Sequence, residues 1–160
     1  MEHKKTNRRY CLKALRVDEN RREDFDREVS LLARCRQASK VVDYIESFTT
    51  LDTLYILMEY MQAGDLEQQL YERDFEPISE RAVRHVLRDL CEAISYLHEN
   101  EIVHGDIKLE NVLLDERDSE CIAKLADFGR ADFIDSLPVK YDDSQIRGTP
   151  GYLAPEVALK

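Results

Sequence analysis

Residues 102–114 read IVHGDIKLENVLL, and the rest of the chain is organised around them. The stretch holds a carboxylate, Asp106, an ammonium, Lys108, and a carboxamide, Asn111, between short apolar runs. Runs of that kind suit buried strands with a loop at their junction. A base for a hydroxyl, a cation for a phosphate and an oxygen ligand for Mg²⁺ are the groups that phosphoryl transfer needs. A second carboxylate follows in DFG at 127–129, after the largely apolar run 122–126. A third marker, GTPGYLAPE at 148–156, closes the series.

At 160 residues the chain is long enough for one domain with a real core, burying roughly two-thirds of its unfolded surface if compact. It is 43% hydrophobic and 35% charged, which fits a globular protein and argues against disorder. No apolar run approaches the ~20 residues of a membrane span, and no signal-peptide segment opens the chain. A cytoplasmic or nuclear location, without a membrane partner, is the resulting expectation. Cys11, Cys35, Cys91 and Cys121 never form CxxC, so they are expected to be buried free thiols rather than metal ligands or disulfides. The formal net charge of −10 disfavours nucleic-acid binding, which needs clustered Lys and Arg. It permits a basic peptide partner.

Along the chain, residues 2–7 read as a turn and 10–15 (YCLKAL) as a short strand, with Lys13 on the face opposite Leu12 and Ala14. Phe25, Val29 and Leu32 give residues 18–35 a helical period. Strands are expected at 43–48 and 54–60, joined through 49–53. Gly64 supplies a flexible exit from the second strand. Asp65, with Gln68 three residues on, suits an N-cap for a short helix at 66–71. Residues 79–100 form the clearest helix, with Val83, Val86, Leu87, Leu90, Ile94 and Leu97 as its expected core face. Residues 131–147 read as a polar loop in which Ser136, Tyr141 and Ser144 are candidate phosphate acceptors.

In this order, HGD at 104–106, DFG and GTPGYLAPE resemble the catalytic loop, metal-binding loop and activation-segment end of eukaryotic protein kinases. Lys108 and the GTPGYLAPE ending resemble the serine/threonine class, closest to the calcium/calmodulin-dependent type. The resemblance implies an α+β, two-lobe kinase fold truncated at both ends. Residues 1–60 would be the small-lobe remainder and hinge strand, and 61–160 the start of the large lobe. It also implies ATP and Mg²⁺ as cofactors and a protein substrate presenting Ser or Thr. Oligomeric state is not implied.

By the same resemblance, Asp106 is the base for the substrate hydroxyl and Lys108 stabilises the transferring phosphoryl group. Asn111 and Asp127 supply hard oxygens to Mg²⁺, and Thr149 bridges Asp106 and Lys108. Lys13 reaches the nucleotide phosphates and pairs with Glu28 of REVSLL. Met58 is the gatekeeper, and the backbones of Glu59 and Met61 bond the adenine edge. Asp65 faces the ribose or a basic substrate residue, or caps its helix. For Lys13 the competing reading is a solvated strand lysine, and for Glu28 a surface i,i+4 pair, with Glu23 and Asp24 as weaker alternatives.

The resemblance breaks in three places. Gly105 stands where most kinases have arginine, so activity is expected not to depend on a loop phosphate; a sharp loss on Ser144→Ala would contradict this. None of the five glycines precedes the hinge, so the glycine-rich loop is missing, and the chain stops four residues after Glu156. A fragment of low stability is therefore expected, because the 79–100 helix loses most of the surface it should pack against. The alternative to a kinase is a catalytically inactive, truncated module that binds a peptide or partner protein.

Overall fold

The computed structural model describes residues 8–17, 19–74, 76–115, 121–137 and 148–155. Residues 2–7, Tyr141, Ser144 and Glu156 lie outside them. The architecture is α+β, as expected. Strands β1 (Tyr10–Arg16), β2 (Tyr44–Thr49) and β3 (Thr53–Glu59) form an antiparallel sheet in the order β1-β3-β2. Period-two alternation decides its faces. Leu54 and Ile56 of the central strand are fully buried, and Lys13 lies opposite Ile56 in the ladder. Lys13 thus shares a face with Leu15, which packs on the core, and its stem runs inward.

Helix α1 (Glu19–Arg34) lies against this sheet through Phe25, Leu31 and Leu32, with Val29 partly covered. Its apolar stripe also carries Glu28, only 4% exposed. After α1, Val41 and Val42 run alongside Leu125: Leu125 N donates to Lys40 O at 2.8 Å and Val42 N to Leu125 O at 3.0 Å. That junction joins the sheet to the second half of the chain, so Leu54 and Ile56 share one core with Leu97, Ile102, Leu125 and Phe128.

Helix α2 (Leu66–Glu72) begins at Asp65, whose carboxylate accepts from Gln68 N at 2.7 Å. Helix α3 (Glu80–Glu99) begins at Ser79, whose hydroxyl accepts from Ala82 N. Both are N-caps of the expected kind. The short strands β4 (Ile102–Val103) and β7 (Asp132–Phe133) pair antiparallel, as do β5 (Val112–Asp115) and β6 (Ile122–Leu125). Ser136 closes a one-turn 3₁₀ helix at Ile134–Ser136.

Two expectations are corrected here. The expected core face of α3 is not buried as a whole: Leu97 is, Val86 and Leu90 are half-buried, and Val83 and Leu87 are 39% and 54% exposed. The helix meets β6 through the line Asp89, Ala93, Leu97, spaced one turn apart, and this rotates the Val83–Leu87 line outward. Of the cysteines, only Cys35 is buried, and burial pushes its thiol up to about 11. Cys11, Cys91 and Cys121 are exposed: Cys11 shares the Lys13 face of β1 but opens onto a cavity rather than the packed core, Cys91 falls off the buried line of α3, and Cys121 precedes β6.

Candidate active site

Lys13, Glu28 and Asp127 come from a strand, a helix and a loop far apart in sequence, yet one ammonium joins them. Lys13 Nζ donates to Glu28 Oε1 at 2.7 Å and to Asp127 Oδ1 at 2.8 Å. Burial works to lower the Lys13 pKa, but the two carboxylates outweigh it and hold the group above its ordinary 10.5. Burial raises the Glu28 carboxyl above 4.5, with Lys13 opposing. Burial also works to raise Asp127, but the Lys13 hydrogen bond and charge bring it below 3.8. The ammonium held between an ionised Asp127 and Glu28 Oε1 marks a charged cluster at neutral pH. The surface-pair alternative falls to Asp24, which pairs with Arg27 at 2.5 Å on the solvent side of α1.

Asp127 has φ +62°, a left-handed backbone uncommon for a residue with a side chain. The unusual turn presents its carboxylate to Lys13 while Phe128 beside it is buried in the core. Lys13, Glu28, Asn111, Asp127, Met58 and Glu59 all line one cavity of about 380 Å³, with Cys11 on the same wall.

Asp106, 7% exposed, has both oxygens engaged. Thr149 Oγ1 donates to Oδ1 at 2.6 Å, and Asn111 Nδ2 approaches Oδ2 at 3.3 Å while donating to the Asp106 carbonyl at 2.7 Å. Lys108 Nζ stands 3.6 Å from Oδ2 and 3.6 Å from Glu110 Oε1. These contacts fix a carboxylate beside an ammonium, next to the cavity that carries Lys13. Thr149 reaches Asp106 as expected, but among the described residues no contact joins it to Lys108.

The hinge residues divide. Met58 and Glu59 line the cavity. The Glu59 carboxylate is engaged on structural work: it accepts from Asp43 N at 2.8 Å and from Lys124 Nζ. Met61 is buried against Val42 and Ala126 and does not line the cavity with its side chain. Asp65 is also absent from the cavity wall, and its carboxylate serves the α2 cap.

His104 was not foreseen as a site residue. Its Nδ1 accepts from Asp106 N at 3.3 Å, its Nε2 meets Ala126 O at 3.0 Å, and its ring packs edge-on against Phe128 at 5.1 Å. These contacts define a neutral imidazole with the proton on Nε2, and burial lowers its pKa below 6.5. His104 thus ties the Asp106 backbone to the segment entering Asp127. The signal available was its place two residues before Asp106, inside an apolar run.

The residues present fit a magnesium ion held jointly with a phosphate. The Asn111 amide donates to Asp106 through Nδ2, leaving its oxygen for a cation. The Asp127 carboxylate is half exposed beside it, and Ala126 N donates to Asn111 O at 2.9 Å, which keeps the two residues adjacent. Mg²⁺ typically takes one or two protein oxygens and completes its shell with phosphates and water. No group of three or more His, Cys, Asp or Glu side chains gathers into a protein-only metal cage among the described residues.

The site thus combines an ammonium shared between two carboxylates with a hydrogen-bonded aspartate beside a lysine. The protein kinase domain family matches residues 1–160, and the chain belongs to that family. It is 35% identical over 97% of its length to the serine/threonine-protein kinase pakG of Dictyostelium discoideum, covering 12% of that protein. It is 32% identical over 97% of its length to the human phosphorylase b kinase gamma catalytic chain, liver/testis isoform, covering 38% of it. To the serine/threonine-protein kinase cst-1 of Caenorhabditis elegans it is 35% identical over 97%, covering 30%. The chain thus spans well under half the length of these relatives.

Proposed function

We propose that the chain carries the catalytic centre of a serine/threonine protein kinase that transfers the ATP γ-phosphoryl group to a protein hydroxyl. The observation that supports this most is Lys13 Nζ within 2.8 Å of both Glu28 and Asp127 on the wall of a cavity shared with Asn111. Such transfer is mainly positioning and charge neutralisation. Lys13, oriented by Glu28, holds the nucleotide phosphates, and the hinge backbone at Glu59 and Met61 takes the adenine edge. Asn111 and Asp127 are the residues that would hold Mg²⁺, which neutralises phosphate charge when bound. Asp106, held by Thr149 and Asn111, orients the substrate hydroxyl and accepts its proton, and Lys108 steadies the phosphoryl group. The lysine two residues after Asp106 and the serine/threonine kinases among the relatives support Ser and Thr as acceptors. Residues 1–60 and 61–160 would form the two walls of the nucleotide cleft.

A non-catalytic binding module is the second reading. Val83, Leu87, Ile107 and Tyr152 are exposed around an apolar groove of about 410 Å³, which suits a protein partner. Transfer of labelled γ-phosphate to basic Ser- and Thr-containing peptides separates the two. Transfer by the parent chain that falls about 10²-fold or more in Asp106→Asn supports the kinase. Absence of transfer by the folded parent, or no change in the variant, overturns it.

A further inference from the structure

We propose that Arg130 is a positioning residue for Asp106, a guanidinium latch joining that carboxylate to the backbone that carries Thr149. The geometry is a closed ring of contacts. Arg130 Nε lies 3.9 Å from Asp106 Oδ2, and Arg130 Nη1 donates to Gly148 O at 3.0 Å. The next residue, Thr149, donates through Oγ1 to the other Asp106 oxygen, Oδ1, at 2.6 Å. One side chain therefore touches the carboxylate and fixes the residue preceding its hydroxyl donor.

The backbone is arranged to allow this. Gly105 has φ +76°, and a Cβ there would sit 2.8 Å from Arg130 O. A Cβ on Gly148, at φ +128°, would meet Leu153 Cδ2 at 2.5 Å and Gly105 O at 3.6 Å. The catalytic loop and the segment after DFG close to a distance that a side chain at 105 would prevent, while at 148 the positive φ is what favours glycine. Replacing Gly105 by any larger residue would force the Arg130 carbonyl away. The glycine in HGD is thus matched to Arg130: where a side chain is missing from the catalytic loop, a cation reaches Asp106 from the segment after DFG.

Arginine suits the position because its planar fork presents donors on more than one edge, whereas a lysine ammonium is a single compact point. The Arg130 side chain is 47% exposed, so its charge is screened. What it contributes is geometry: the 148–149 backbone stays in place, and Thr149 with it.

The catalytic readout rests on the kinase reading above; the structural readout does not. Both are taken on the full chain in Arg130→Ala and Arg130→Lys. Peptide phosphorylation should show kcat lowered about tenfold in Arg130→Ala, the effect of one charge-assisted hydrogen bond, with KM for Mg·ATP unchanged. Arg130→Lys should recover only part of it. A general loss of packing would instead shift KM for Mg·ATP as well. Hydrogen exchange of residues 148–155, measured without nucleotide, should quicken in Arg130→Ala while α3 exchanges as in the parent. If the parent chain transfers no phosphate, the kinase reading fails and exchange alone decides: faster exchange confined to 148–155 supports the latch. Parental kcat, or exchange unchanged at 148–155, overturns it. Should Arg130→Ala not fold, Arg130→Lys carries the same two measurements, with parental values in both as the contradicting result.

Discussion

Replacing Lys13 by methionine tests the charged cluster through stability alone. The ammonium contacts two carboxylates of unlike exposure: the Glu28 side chain is 5% exposed and that of Asp127 is 49% exposed. Asp127 turns to water when Lys13 is gone, so its share of the loss is small. Glu28 has no such recourse. Leaving one partner of a buried ion pair uncompensated costs about 3–5 kcal/mol. The Lys13 side chain is itself 28% exposed, which sets the expectation at the lower end, about 3 kcal/mol. For a chain of this length, roughly 2–4 °C per kcal/mol converts this to a Tm lowered by about 6–12 °C.

The loss should depend on pH in a defined direction. Burial already raises Glu28 above its ordinary 4.5, and Lys13 is what opposes it. Without Lys13 the folded-state pKa climbs further, so stability is retained below the unfolded value and lost as pH rises through the folded one. The gap between parent and Lys13→Met should widen as pH rises from about 5 towards neutral. Thermal unfolding followed by circular dichroism across that range measures it. Adding Glu28→Gln should recover at least half of the loss. A deficit under about 1 kcal/mol, or one flat with pH, would refute the buried-pair reasoning.

Further expectations follow from the same geometry. His104 is neutral and its pKa lowered by burial, so the unfolded chain takes up its proton first and stability falls as pH drops below about 6.5. His104→Gln should flatten that part of the pH–stability curve, and an unchanged slope would contradict the assignment. Leu97→Ala should cost about 2–5 kcal/mol, whereas Leu87→Ser, at a 54% exposed site, should stay within about 0.5 kcal/mol. Denaturant unfolding reads both, and similar losses would contradict the observed orientation of α3. Cys11 is an exposed thiol on the cavity wall, so Mg·ATP should slow its alkylation while leaving Cys91 and Cys121 unaffected. Mass spectrometry resolves the three, and equal rates at Cys11 with and without nucleotide would contradict nucleotide binding in that cavity.

The elements and the central site residues were legible because their signals are local. Period two in YCLKAL, the apolar steps of α1, and the cap pair Asp65 with Gln68 each lie within a few residues. The Lys13–Glu28 pair is long-range, and it became legible only through the ordered motifs; the bond from the same ammonium to Asp127 was not read. What stayed hidden depends on packing that no window of sequence contains. Asp89 reads as one more charge on α3, yet it is 2% exposed, with Lys40 Nζ at 3.0 Å and Ala123 N donating at 3.1 Å. Its partners sit in distant segments, and the helix is turned to meet them. The same rotation left Val83 and Leu87 exposed despite their helical spacing. Glu59 matched a hinge position, but its carboxylate is tied to Lys124, a contact across sixty-five residues. Arg130 was passed over because its meaning depends on the missing side chain of Gly105.

Calorimetric titration of Mg·ATP into the parent chain and into Asp127→Asn tests the central claim most directly. Heat of binding that requires Mg²⁺ and disappears in the variant is the predicted result. A folded parent chain that binds no nucleotide, or an Asp127→Asn variant that binds as the parent does, would contradict the account.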